Sequence, residues 1–108
     1  ILEHVKNPHQ VIENIYEVYP SSTLVLVTVP NYTSLNTLSA SLHHTEMIHP
    51  DHYWFFSSVT LLRLFSNDKF EIQDLCFGMY FEKNRRINFV LQQFPFLGDC
   101  IIALFKRK

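Results

Sequence analysis

Glycine is almost absent: Gly78 and Gly98 are the only two in 108 residues. No Gly-rich nucleotide or phosphate loop fits in the chain, because such loops use several close glycines to let backbone approach the ligand. Cysteine is nearly as scarce, and Cys76 and Cys100 stand in no metal-ligand spacing. Two cysteines are thin support for an oxidising compartment, so a cytoplasmic protein with reduced thiols is the expectation. Neither charge sign dominates, since nine basic against ten acidic residues leave −1. That balance gives no field to gather nucleic acid or anionic lipid, and we expect neither as a partner. The longest apolar stretch, Leu24 to Pro30, is broken by Thr28 and falls far short of the roughly 20 residues of a membrane helix. No signal peptide is visible. The chain starts at Ile1 rather than at methionine, which fits truncation or processing.

What the chain has is aromatic and aliphatic mass. Ten Phe, five Tyr and one Trp within a 47% hydrophobic composition argue against disorder and for a core in one domain spanning 1–108. Asn7-Pro8-His9-Gln10 reads as a helix start, with Asn7 as cap, Pro8 at the first helical position and Gln10 closing a capping box. Val11, Ile12, Ile15, Tyr16 and Tyr19 then share one helical face, until Pro20-Ser21-Ser22 ends the helix. Thr23 to Val29 is a nearly unbroken β-branched and Leu run, the pattern of a parallel strand buried on both faces. Residues 30–56 are long for a loop and hold four of the six histidines, with a short helix expected over 37–42. Ser57 or Ser58 can cap a helix carrying Leu61, Leu62, Leu64 and Phe65 that stops near Asn67-Asp68. Phe70 to Cys76 alternates as a strand with one wetter face. Ile87, Val90, Leu91 and Phe94 mark another helix, ended by Pro95, and Cys100 to Phe105 is a last buried strand.

Three short patterns lie in order along this frame: Leu2-Glu3-His4-Val5 before Asn7-Pro8, Val29-Pro30-Asn31 after the first strand, and His52-Tyr53-Trp54-Phe55-Phe56 before the next helix. Lys69-Phe70-Glu71 then opens a later strand. Together they resemble the C-terminal half of a class I S-adenosylmethionine-dependent methyltransferase. The resemblance implies an α/β fold, half of a Rossmann-like sheet with flanking helices, whose last strand runs antiparallel between its two neighbours. Cys76 and Cys100 would then sit on neighbouring strands. Two family glycines are replaced, by the Pro20-Ser21-Ser22 turn and by Lys69, which implies altered turn geometry or relaxed constraint on those turns and not lost chemistry.

The resemblance implies a transferase that moves the methyl of S-adenosylmethionine to a small-molecule or sugar-like acceptor. The cofactor would be bound in the intact protein by the family's N-terminal half, which is the implied partner. This chain alone is expected to be inactive, and no cofactor-binding residue can be assigned in it. Strand ends in open α/β sheets face the ligand crevice, so His4 and His52 are the implied catalytic pair and Glu3, Asn31 and Tyr32 the implied substrate contacts. His4 would act as general base, its ordinary pKa being close to neutrality. Glu3, His4 and His52 also match three ligands of the metal set in small-RNA 2′-O-methyltransferases, which are similar to this family. The His43/His44/His49/His52 group has no accompanying thiolate, and no metal is expected. The alternative is a non-catalytic, truncated or degenerate domain serving as an interaction module. In either case an open strand edge favours self-association.

Overall fold

A computed structural model describes residues 1–46, 49–65, 68–78 and 85–108. The first helix forms where the local chemistry asks for it. Asn7 Oδ1 accepts the Gln10 N–H at 3.2 Å, Pro8 occupies the first turn, and α1 runs Pro8–Val18. The capping box is only half made, because the Gln10 side chain donates to Asn14 Oδ1 at 2.9 Å instead of returning to Asn7. Ile12 is buried and Val11, Ile15 and Tyr16 pack beside it, whereas Tyr19, past the helix end, is exposed.

The turn after α1 keeps the geometry that its missing glycine would have supplied. Ser22 sits at φ 72°, in the left-handed region, and its N–H donates to the Arg107 carbonyl at 2.8 Å. A serine is thus held in the left-handed conformation that a glycine adopts without steric cost. Lys69 has no positive φ, so this second turn is rebuilt. Its ammonium pairs with Glu13 and lies 5.2 Å from the centre of the Tyr16 ring, tying the turn to α1.

Three strands make one open antiparallel sheet in the order β1-β3-β2: β1 Leu24–Pro30, β2 Phe70–Gly78 and β3 Cys100–Arg107. The last strand lies in the middle, antiparallel to both neighbours, as expected. Gln73 is an extra residue in β2, between the pairs Ile72–Phe105 and Asp74–Leu104, and bulges that edge strand. Cys100 faces Gly78 and Cys76 faces Ile102, so the two free thiols are diagonal neighbours on adjacent strands. The chain's two glycines meet at this end of the sheet. A side-chain carbon at Gly78 would come within 2.6 Å of Cys100 Sγ, and one at Gly98 within 2.6 Å of the Gly78 carbonyl.

The remaining described helices are α2 Leu35–Leu42, α3 Ser58–Leu64 and α4 Arg85–Gln93. Ser34 caps α2. Ser57 and Thr60 form a complete capping box on α3. Of the expected helix stop at Asn67-Asp68, Asn67 lies outside the described residues and Asp68 is already in a turn; the last helical residue is Leu64. Helices α1 and α3 cover one face of the sheet, where Ile12, Leu61, Leu64 and Phe65 meet Val27, Val29, Ile101, Ala103 and Phe105. Phe65 stacks on Phe105 with centroids 3.9 Å apart, and Phe70 meets Phe65 edge-on at 5.4 Å. Such ring pairs add to the energy of plain apolar burial.

Burial of the first strand on both faces is not found. Its outward residues Leu24 and Leu26 are 60% and 68% exposed, while Val27 and Val29 are buried. The reason is that α1 and α3 both pack on the Val27–Val29 side. The outer edge of β1 is also open among the described residues. The Asn31 N–H bonds the Asp99 carbonyl, which assigns odd-numbered residues to β3 and turns the N–H groups of Leu24, Leu26 and Thr28 outward. Pro30 takes an outward position, where a missing N–H costs the sheet nothing. No helix among the described residues is long and apolar enough to cross a membrane.

The strained turn generates a stability prediction. Replacing Ser22 by Gly should raise stability by about 0.5–1 kcal/mol, the relief of left-handed strain less the added freedom of the unfolded chain. Urea unfolding at unchanged slope would read this as a higher midpoint, whereas a lower midpoint would mean that Ser22 is not strained.

Candidate functional site

The carboxyl end of β1 gathers three separate stretches of chain. Residues Leu2–His4 form a 3-10 turn in which the His4 N–H donates to the Ile1 carbonyl at 2.9 Å. The outgoing end of the long loop lies along it: the N–H groups of Tyr53 and Trp54 both reach the Glu3 carbonyl, at 2.7 and 3.3 Å. Two residues on, the Phe56 carbonyl accepts the Tyr32 N–H at 2.9 Å and makes a one-residue parallel bridge to Asn31. These backbone bonds bring His52 against His4 although 48 residues separate them in sequence.

Three imidazoles form a cluster here. His52 meets His4 edge-on at 4.6 Å between ring centres and stacks on His49 at 4.5 Å. His4 Nδ1 lies 3.1 Å from the Asp51 carbonyl. A carbonyl can only accept, so Nδ1 carries the proton and the neutral ring keeps its lone pair on Nε2, 3.7 Å from Glu3 Oε1. His49 Nδ1 accepts the Asp51 N–H at 3.2 Å and thus has the opposite tautomer when neutral. The pKa of His52 is lowered, first by desolvation and then by repulsion from His4 and His49. Glu3 is buried beside this cluster, with its Oε1 3.7 Å from His4 Nε2.

Glu3, His4 and His52 each offer a ligand atom, all within 4.8 Å of one another. That separation is wider than the roughly 3.4 Å edge set by ligands about 2.1 Å from one tetrahedral ion, so the side chains would have to close in to hold one. Carboxylate and imidazole donors together would suit Mn²⁺ or Zn²⁺ better than Mg²⁺.

The five sequence-selected residues divide into two kinds. His4, His52 and Tyr32 present side chains that a ligand could meet, and Tyr32 is 39% exposed. Glu3 and Asn31 are buried and committed to the protein itself. Asn31 Nδ2 donates to the Phe96 and Gly98 carbonyls at 2.9 and 2.8 Å, while Oδ1 accepts the Thr33 N–H and hydroxyl at 3.1 and 2.8 Å. Every hydrogen-bonding position of the amide is taken, so Asn31 serves the site by fixing where Tyr32 starts. Beside them lies a cavity of about 440 Å³ walled by Tyr32, Trp54, Phe55, His49 and His52, with Glu46 and Asp99 on its lining. Tyr32 and Phe55 are 5.3 Å apart, and Trp54 Nε1 is tied to the Lys6 carbonyl at 3.3 Å. Phe56, from the same aromatic run, belongs to the core instead. Sequence reasoning missed Asp99, because its approach to Asn36 (3.0 Å between side chains) spans 63 residues.

Replacing Asn31 by Ala should cost about 2–3 kcal/mol, since it strands the partly buried Phe96 and Gly98 carbonyls. Denaturant unfolding measures this, and a loss under about half a kcal/mol would show that the amide bonds are dispensable. His52 generates a pH dependence. Its folded pKa lies below the ordinary 6.5, so between those two values the unfolded chain holds more protons and stability falls as pH falls. In chelator-containing buffer, wild type should lose stability from about pH 7 to about pH 5 in excess of the His52→Gln variant. Parallel curves for the two proteins would contradict the assignment.

No protein-family model matches the chain, and no curated protein is significantly similar to it.

Proposed function

We propose that this chain is the C-terminal, acceptor-side half of a class I S-adenosylmethionine-dependent methyltransferase with a Rossmann-like sheet, acting on a small-molecule acceptor. The observation that carries the reading is the strand order β1-β3-β2 with the final strand antiparallel in the middle, the arrangement that the resemblance implies. The meeting of the Leu2–His4 turn, the end of β1 and His52 supports it further, because ligands of open α/β sheets bind beyond the strand ends.

The chain's own residues do not fit the cofactor. Its two glycines are packed against Cys100 and against each other, and no backbone is left free to approach a ligand as a glycine loop would. No step through the cofactor is therefore assigned to this chain. What it supplies is acceptor positioning: Tyr32, Trp54 and Phe55 form a wall, and His52, its pKa lowered by desolvation and by His4 and His49, stands where it could take a proton from a hydroxyl or amine. Placing an acceptor in line is the larger part of catalysis in such transfers.

A second reading, an interaction module without catalysis, is favoured by one feature of its own. The outer edge of β1 offers the outward N–H groups of Leu24, Leu26 and Thr28 beside two exposed leucines, a template for another strand.

Calorimetric titration of the 108-residue chain with S-adenosylmethionine should give no binding, and sedimentation should find self-association. Adding the family's N-terminal half should restore cofactor binding under the methyltransferase reading, whereas the module reading expects it to stay absent. Micromolar cofactor binding by a monodisperse 108-residue monomer would overturn the proposed division of labour.

A further inference from the structure

The two outer edges of the sheet are built differently. On β2 the extra residue Gln73 interrupts the ladder, and Glu71 and Asp74 are exposed carboxylates on either side of it. A bulge and charges are the devices that keep an edge strand from pairing. β1 has neither. Its register to β3 is regular from Leu24 to Pro30, and no Asp, Glu, Lys or Arg occurs between Glu17 and Glu46. Among the described residues, the outward N–H groups of Leu24, Leu26 and Thr28 have no backbone partner, and the carbonyls of the same residues point outward with them. The open run is closed off at both ends: the Ser22 N–H is bonded back to Arg107, and Asn31 is bridged to Phe56. Leu26 is the centre of what remains.

This edge fits an uncharged strand with apolar side chains on both faces. On the outer face Leu24 and Leu26 are 60% and 68% exposed. On the helix side a groove of about 260 Å³ runs along the edge, walled by Val11 and Ile15 of α1 and by Val25 and Val27. β1 of a second copy meets every one of these demands. Turned antiparallel with Leu26 opposite Leu26, it sets Leu24 of each copy opposite Thr28 of the other, and each such pair exchanges both its N–H···O bonds. Leu26 of one copy then covers Leu26 of the other, while Val25 and Val27 of each copy stand on the groove side of its neighbour. Sliding the register by one residue would set outward groups against residues bonded to β3. Sliding it by two would bring in either Pro30, which has no N–H, or Ser22, whose N–H is already committed to Arg107.

We propose that two copies of this chain pair through β1, antiparallel about a two-fold axis at Leu26, joining two three-stranded sheets into one. The pairing is closed, because it leaves only the bulged β2 edges outside. It rests on the open-edge reading above and deepens it by naming the partner and the register.

Sedimentation of the 108-residue chain alone should find a dimer. Leu26→Lys and Leu26→Glu each set like charges face to face at the axis, and each should raise the dimer dissociation constant at least about tenfold. Mixed together, the two variants should dimerise again, because Lys then faces Glu. Thr28→Lys mixed with Leu24→Glu should likewise prefer the mixed dimer, and covers the case in which residue 26 does not accept a charge. Gln73→Lys, on the β2 edge, should leave the dimer unchanged. A wild-type monomer, including one that forms a complex only with the family's N-terminal half, would overturn the open-edge reading and the proposal together. A wild-type dimer that survives Leu26→Lys, that is lost in Gln73→Lys, or whose charge variants do not recover on mixing would overturn the pairing while leaving self-association in place. None of these results bears on the cofactor titration.

Discussion

The sheet exists because of its last strand. β1 and β2 are paired to β3 and not to each other, so β3 alone has strand partners on both sides. Its inward residues are accordingly fully buried, with Ile101 and Ala103 at 0% exposure and Phe105 at 1%. Phe105 carries the ring stack to Phe65, and through Phe65 reaches Phe70 and so the start of β2. Because β3 comes about seventy residues after β1, neither outer strand gains its ladder until the chain is almost complete, a costly closure of long loops. The turn at Ser22 shows what this demands locally. A residue with a Cβ is held at positive φ, and the bond that holds it runs to Arg107 at the end of β3. Arg107 in turn lies 4.0 Å over the Tyr16 ring of α1, so the same strand end also fixes the helix.

At the opposite end of β3 a smaller device positions the site. The Asn31 amide grips the Phe96 and Gly98 carbonyls that precede β3; Gly98 can approach the Gly78 carbonyl closely because it has no side chain, and Gly78 in turn leaves room for Cys100. All three strand ends are thereby clamped at the edge of the cavity. In a chain with so little glycine, both residues are spent here, and their reduced entropy in the fold is offset by the strand contacts they allow. The cavity wall inherits this rigidity through Tyr32, the next residue after Asn31, and through Asp99, whose carbonyl holds the Asn31 N–H.

How much of this was legible depended on the range of the interaction. Asn7-Pro8 and Ser57 announced helix starts, because a cap acts within three residues. The amphipathic period of α1 identified Ile12 as core and was right about Val11, Ile15 and Tyr16 as well. The middle position of β3 followed from the resemblance and not from any local signal. By contrast, a run as apolar as Leu24–Pro30 reads as buried on both faces, yet its Leu24–Leu26 side is bare, since hydropathy cannot say which faces the helices will take. Glu3 and Asn31 were correctly brought to one end of the sheet with His52. Their commitment to internal bonds was invisible, because the Asn31 partners lie 65 and 67 residues away. That His4 and His52 lie at this end was also expected, but not that His49 would complete a stack with them, nor that Asp99 would line the same cavity.

The edge of β1 and the cavity are neighbouring but separable features. The Phe56 bridge and the Leu2–His4 turn already occupy the edge where it approaches the site, leaving the Leu24–Thr28 portion open. A strand added there would bury Leu24 and Leu26 without displacing Tyr32 or Phe55, so assembly on this edge need not close the cavity. The link between them is the 3-10 turn, whose Glu3 carbonyl holds Tyr53 and Trp54 while Leu2 packs in the core. A partner that shifts this turn would move the Trp54 side of the cavity and His4 together, whereas Tyr32 and Asp99 would stay fixed by Asn31. The site thus has one wall anchored to the sheet through Asn31 and one held by the Leu2–His4 turn, whose Glu3 carbonyl fixes Tyr53 and Trp54.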